Sequence, residues 1–128
     1  MDNNLTQFAN QNYLNLETFR KNGQGMKTPV WFAQDGEKLL VWTESTSGKA
    51  KRMRNNGQVR VVPSRMDGMP VGEWVNATAT VDDSDLAMKQ LQALMSKKYG
   101  FMFTLFGMLG KFSRSKYTSI QVEVKPEK

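Results

Sequence analysis

Four cations, Lys49, Lys51, Arg52 and Arg54, stand within six residues with no acid among them, and Ser45, Thr46, Ser47 and Gly48 lead into them. A hydroxyl before a short helix is an N-cap signature. A helix N-terminus also presents free N–H groups and a partial positive charge, so it holds anions. The spacing therefore reads as an anion site, and phosphate is the anion it suits best. On a helix the four cations cannot face one point. Lys51 and Arg54 fall near one face, and Lys49 and Arg52, with Met53, near another. A phosphate would take two or three of them together with Ser45 or Ser47. Each charge-assisted hydrogen bond contributes about 1.5–3 kcal/mol, so two of them and a backbone cap support micromolar affinity. The competing reading is a solvated basic face, which short cationic turns commonly are.

Two strands must position this turn. Met26–Gln34 is rich in β-branched and aromatic residues; Thr28, Val30 and Phe32 point one way, Lys27, Pro29 and Trp31 the other. Pro29 cannot donate to a ladder, which puts this strand at an edge or a bend. Asp35-Gly36 marks a hairpin. Lys38–Glu44 follows, with Leu39, Val41 and Thr43 on one face and Leu40 and Trp42 on the other. Upstream, Tyr13–Arg20 alternates as a first strand, and Lys21–Gly25 turns into the second. Downstream, Gln58–Pro63 and Gly72–Val81 read as the fourth and fifth strands, with Ser64–Pro70 a loop between them. Asp82-Asp83-Ser84 caps a helix running to about Tyr99, which Gly100 ends. Phe101–Phe112 reads as a second apolar helical piece, Tyr117–Val124 as the sixth strand and Lys125–Lys128 as a tail. Asp2–Gln11 reads either as a short helix capped by Asn3 or Asn4, or as a polar, unstructured start. Antiparallel strands joined by short turns, with a late helical insertion, predict a mainly β fold: a small six-stranded barrel with attached helices.

Composition narrows the chemistry. The chain has 128 residues, which predicts a single domain, and it contains neither cysteine nor histidine. That removes a thiol nucleophile, a Ser-His-Asp triad, a Cys- or His-ligated zinc and a His-ligated haem. No residue presents itself as an essential catalytic acid or base, and no metal-ligand spacing is present. The formal net charge of +6 favours anionic partners. The polar start lacks an apolar signal core, and the longest mostly apolar run, Phe101–Leu109, spans as a helix about 14 Å, half of what a bilayer requires. The expectation is a cytoplasmic protein without a membrane span.

Several co-linear stretches resemble the pyridoxamine 5′-phosphate oxidase-like flavin split-barrel superfamily, and within it a small subgroup described as deazaflavin (F-420)-dependent enzymes. They are Tyr13–Arg20, Lys27–Ala33, Val41–Thr43, Ser47–Lys49, Lys51–Asn56, Val59–Val61 and Gly72–Val75. The similarity extends over about residues 5–124. It implies a six-stranded antiparallel split barrel, a homodimer, and FMN or a deazaflavin lying between protomers. It further implies an oxidoreductase acting on a small organic substrate. By the same resemblance Lys49 and Lys51 contact the cofactor phosphate, with Arg54 beside them. Lys27, Thr28, Pro29 and Val30 lie along the ring and ribityl chain, and Thr43 and Ser45 are hydrogen-bond partners. The Asn-, Lys-, Gln- and Met-rich composition is unlike the Ala- and Arg-rich chains of organisms that make the deazaflavin, which favours FMN.

Trp31, Trp42 and Trp74 read first as core or interface aromatics, and one of them, or Met26, could stack on a flavin. Phe101, Met102, Phe103, Phe106 and Met108 read as packing, with a substrate pocket or, given Lys111, Arg114 and Lys116, a membrane contact as alternatives. Trp74, Asn76 and Thr78 share a face suited to a second protomer, which would deepen an otherwise shallow groove. The alternative to an enzyme is a non-catalytic module that binds flavin or single-stranded nucleic acid. In the nucleic-acid version Trp31 and Trp42 would stack bases beside the basic turn. The compactness of that turn argues against nucleic acid.

Overall fold

The structure, a computed structural model, describes residues 5–100 and 117–125. Six antiparallel strands close a barrel in the order β1-β2-β3-β6-β5-β4. They are β1 (Tyr13–Phe19), β2 (Gly25–Asp35), β3 (Lys38–Glu44), β4 (Gln58–Ser64), β5 (Val75–Asp82) and β6 (Tyr117–Val124). Helix α1 (Gly48–Asn55) follows β3, and helix α2 (Asp85–Tyr99) follows β5. The mainly β, six-stranded split barrel expected from the sequence is the fold observed.

Alternation fills the barrel. Leu14 and Leu16, Val30 and Phe32, Leu39 and Val41, Val59 and Val61, Ala77 and Ala79, and Ile120 and Val122 form one buried cluster. Phe8 enters it at the end where β1 begins, meeting Phe32 edge-on at 5.8 Å between ring centroids. Met53 of α1 closes the other end. Outside the barrel, α2 lays Leu91 and Met95 on Ala33 of β2 and Leu40 of β3, with Trp31, Trp42 and Tyr99 at the margin. Burying a large apolar side chain contributes about 1.5–3 kcal/mol, so both helices are held mainly by their apolar faces.

Local chemistry sets the turns. Gly36 takes the first central position of the β2–β3 hairpin with φ 62°, as a type II′ turn requires. Ser47 caps α1 and Ser84 caps α2, each hydroxyl accepting an N–H three residues on, at 3.1 Å. Gly100 ends α2 with φ 62°.

Two elements depart from the sequence expectation. The N-terminal segment forms only a 3-10 turn, Thr6–Phe8, with no side-chain cap; residues 1–4 lie outside the described residues. Ala9 is extended and Asn10 has φ 64°, which stops the helix. The fifth strand begins at Val75 rather than Gly72. Gln7 is the reason: its side-chain amide accepts the Glu73 N–H at 2.8 Å and donates to the Glu73 carbonyl at 2.9 Å. Glu73 is thereby paired to the N-terminal turn. The helix expected over Phe101–Phe112, the roles expected of Lys111, Arg114 and Lys116, and the last three residues of the tail lie outside the described residues. No described helix is long and apolar enough to cross a membrane.

Candidate functional site

Strand β2 has two partners in succession. Gly25–Trp31 pairs with β1, and Phe32–Asp35 pairs with β3. Continuing the β2–β3 register past Phe32↔Val41 would set Thr43, Glu44 and Ser45 opposite Val30, Pro29 and Thr28. The ladder stops instead, and the strands part. Among the described residues no strand pairs with Gly25–Val30 on the side away from β1. Arg20 N–H donates to Gln24 O at 2.9 Å, so alternation makes Asn15↔Pro29 a non-hydrogen-bonded pair. The Pro29 nitrogen therefore faces the open edge, where its missing hydrogen breaks no ladder bond. Of the edge or bend expected at Pro29, the pairing shows the edge.

The gap lies between the β2 residues Lys27, Thr28, Pro29 and Val30 and the end of β3, from which α1 starts. Their side chains go different ways. Thr28 and Val30 face the interior, and Lys27 faces outward with Nζ 5.3 Å from the Trp74 ring centroid. Thr43 is buried on the inner face, and its Oγ1 has no hydrogen-bond partner. The Ser45 carbonyl accepts from Arg54 Nη1 at 2.7 Å.

The four cations of α1 divide by their partners and not by the two faces that helical spacing predicts: among the described residues Arg52 and Arg54 are engaged, Lys49 and Lys51 are not. Ala50 and Met53 are buried against the barrel end. Arg54 is tied down by the Ser45 carbonyl and by Asp83 at 3.4 Å. Arg52 donates from Nε to Thr18 Oγ1 at 2.7 Å and folds back over Gly48, where Nη1 lies 2.9 Å from the position a β-carbon would take. Lys51 is exposed. Lys49 is half-buried, and burial holds its pKa below the ordinary lysine value despite the nearby Glu44, with Arg52 adding to the depression. Ser47 is occupied: it caps Ala50 N–H and donates to the Glu44 carbonyl at 2.8 Å. Of the basic turn, Lys49 and Lys51 are the two side chains without a fixed structural partner among the described residues.

Two arrangements escaped the sequence reading. Glu17 is only 7 % exposed on the outer face of β1. It lies between its cross-strand neighbours Lys27 and Arg60, accepting from Arg60 Nη1 at 2.9 Å, while the Arg60 guanidinium sits 4.9 Å from the Trp74 centroid. At the end of α2, Lys98 and Tyr99 reach the Phe32 backbone, just past the last pairing with β1. Lys98 Nζ donates to Phe32 O at 2.7 Å and lies 3.5 Å from the Phe32 ring centroid. The Tyr99 hydroxyl accepts Phe32 N–H at 3.1 Å and lies within donating distance of two carbonyls, Asn12 O at 2.6 Å and Phe32 O at 2.9 Å, sharing its one proton between them. Burial lowers the Lys98 pKa to about 8 and raises that of Tyr99 above the ordinary phenol value. Trp31 stacks on Tyr99 at 4.4 Å, and Trp42 lies 5.2 Å from Tyr117, so both act as packing aromatics here. No cluster of three or more carboxylates suited to a metal occurs among the described residues.

Neither a family model nor a curated protein matches the sequence. Solved structures do match its shape. A Listeria innocua protein provisionally named a pyridoxamine 5′-phosphate oxidase superposes with TM-score 0.67 at 17% identity, covering 97% of this chain and 90% of its own. The chain shares the fold of that protein, a six-stranded split barrel. An F420 reductase is similar to this split barrel at TM-score 0.62 and 16% identity, over 94% of this chain and 92% of that one. So is HutZ, the haem storage protein of Vibrio cholerae, at TM-score 0.68 and 17% identity, over 93% and 84%. At these identities the likeness is one of fold, so the ligand must be argued from this chain's own residues.

Proposed function

We propose that this split barrel binds a phosphorylated flavin between the parting ends of β2 and β3 and acts as an oxidoreductase on a small organic molecule. FMN is the preferred cofactor and the deazaflavin F-420 the alternative. The observation that carries this reading is the parting itself: β2 keeps an open edge where β3 leaves it, and β3 leads directly into α1 with its two uncommitted lysines. The residues fit such a group. Thr43 Oγ1 is a buried polar atom without a partner, which a ligand's hydrogen-bonding edge would satisfy. The backbone N–H and C=O of Lys27 and the carbonyl of Pro29, which face the open edge, can orient a planar ring. Lys49 and Lys51 would supply the phosphate with two positive charges. When bound, a flavin brings the two-electron chemistry, and the chain's part is to bind, orient and exclude water. The assignment of Arg54 to the phosphate is weaker, because Arg54 would have to leave Ser45 and Asp83.

A second copy of the chain, meeting the first on the Trp74, Asn76, Thr78 face, is part of the proposal, since a single small barrel leaves its ligand exposed. The relationship to a haem storage protein has less support, because the chain has neither histidine nor cysteine to ligate iron. The test is direct. Purified protein is titrated with FMN and with the deazaflavin, following absorbance near ~450 nm and ~420 nm respectively, and sedimented with and without ligand. Binding of one of them at micromolar concentration by a dimer is expected; binding of neither would refute the reading.

A further inference from the structure

At the barrel end covered by α1 lies a pocket of about 400 Å³, lined by Phe19, Arg20 and Lys21 from the β1–β2 turn and by Arg52, Asn55 and Asn56 from α1. Its lining differs from that of the gap between β2 and β3: it takes the β1–β2 turn and, from α1, Arg52 and Asn55 in place of Lys49 and Lys51. Its lining contains three cations and no acid. None of the three is in an ion pair among the described residues, whereas Arg54, Arg60, Arg65 and Lys38 all are.

Arg52 is the built element. Its Nε is held by Thr18 Oγ1 at 2.7 Å, and Thr18 is fully buried. Gly48 has no side chain to block the return of the guanidinium over the helix. The two terminal nitrogens are thus fixed in place before any ligand arrives, and little side-chain entropy remains to be lost on binding. Asn56 Oδ1 accepts the Gln58 N–H at 3.0 Å, which turns its amide NH₂ the other way as a further donor. The turn carrying Arg20 and Lys21 is itself fixed, with Gly23 N–H on Arg20 O at 2.8 Å and Gln24 N–H on Asn22 Oδ1 at 2.9 Å. The volume lies in the range of small-molecule sites, and Phe19 gives it one apolar wall.

We infer that this pocket is a second anion site, separate from the flavin site proposed above. It takes a phosphorylated small organic molecule, with the phosphate on Arg20, Lys21 and Arg52 and an apolar part against Phe19. Planar, bidentate contact from Arg52 and point charges from the turn suit a phosphate dianion.

The probes are phenyl phosphate, inorganic phosphate and phenol, titrated at constant ionic strength while backbone amide NMR shifts are followed, with and without saturating FMN. Phenyl phosphate should shift Phe19, Arg20, Lys21, Arg52, Asn55 and Asn56 together, inorganic phosphate should do so more weakly, and phenol should have no effect. Arg20→Ser/Lys21→Ser removes two exposed cations and should weaken phenyl phosphate at least tenfold. FMN affinity of that variant should stay within twofold. Loss of one or two phosphate contacts also predicts rescue by Arg20→Lys, which keeps the charge. Shifts spread over every basic surface residue, or equal shifts with chloride, would overturn the inference. So would an unchanged affinity in the double variant. If FMN displaces phenyl phosphate, the pocket is the phosphate end of the flavin site: the second site is refuted, and the flavin reading survives with a new phosphate location. If FMN does not bind at all but phenyl phosphate does, the flavin reading falls and this one stands.

Discussion

Replacing Lys49 and Lys51 together by alanine separates phosphate recognition from ring recognition. Lys51 is exposed and without an ion pair among the described residues, so its loss should change stability by no more than about 0.5 kcal/mol. Lys49 is half-buried with a depressed pKa, so its charge is held at a cost that alanine removes. Alanine is also the better helix former at both positions. The double variant should therefore unfold in urea within about 1 kcal/mol of the parent. Binding should respond far more. Two charge-assisted hydrogen bonds to a phosphate contribute about 3–5 kcal/mol, which is a loss of a few hundredfold or more in FMN affinity. Riboflavin shares the ring and ribityl chain but has no phosphate, so its affinity should hardly move. Flavin fluorescence titrations on parent and variant read both. Equal loss of FMN and riboflavin would mean that the lysines shape the pocket without holding the phosphate. Loss of neither would make the basic turn a solvated face, and the placement of the phosphate on α1 would be wrong.

The other expectations concern the frame around the site. Lys98 has a folded pKa of about 8 against 10.5 when unfolded, so between those values the unfolded chain binds more protons and stability should rise with pH. Chemical denaturation from pH 8 to 9.5 should show that rise in the parent and lose it in Lys98→Met; a parent curve flat over this range would disprove it. Above about pH 10 the raised pKa of Tyr99 acts in the opposite sense, because the unfolded phenol ionises first and stability falls again. Tyr99→Phe leaves the Phe32 N–H without its partner and should destabilise by about 1–3 kcal/mol in urea, with the barrel still folded. Ser47→Ala removes the α1 cap and should lower stability by about 1 kcal/mol; a loss in flavin affinity much larger than that would show the hydroxyl touching ligand as well.

What could be read from the sequence was what short-range chemistry decides. Leu14 and Leu16 alternate because one face of β1 is apolar; Gly36, Gly100, Ser47 and Ser84 sit where a turn or a cap needs them. The open edge at Pro29 followed from a missing N–H. What stayed hidden depends on partners far along the chain. Nothing near Glu17 announces Arg60 or Trp74 as its cover, and nothing near Phe32 announces that Lys98 and Tyr99 will satisfy its backbone. The start of β5 was misplaced for the same reason, since Gln7 is 66 residues from Glu73. The candidate site was half legible. Helical spacing separated the cations of α1, but only packing shows that Arg52 and Arg54 are engaged by the barrel while Lys49 and Lys51 are not.

A strand that changes partners midway leaves a row of unpaired backbone groups, and such a row is a template on which another chain can pair and begin an aggregate. An edge left unpaired among the described residues thus carries a hazard that a fully paired strand avoids. Pro29 places a gap in that row of donors, because its nitrogen lies on the open side and has no hydrogen to offer. Lys27, exposed two residues before, adds charge beside it. The residue whose missing N–H suits an unpaired edge also makes that edge a poor template, so tolerance of the open side and protection against unwanted strand pairing come from one proline.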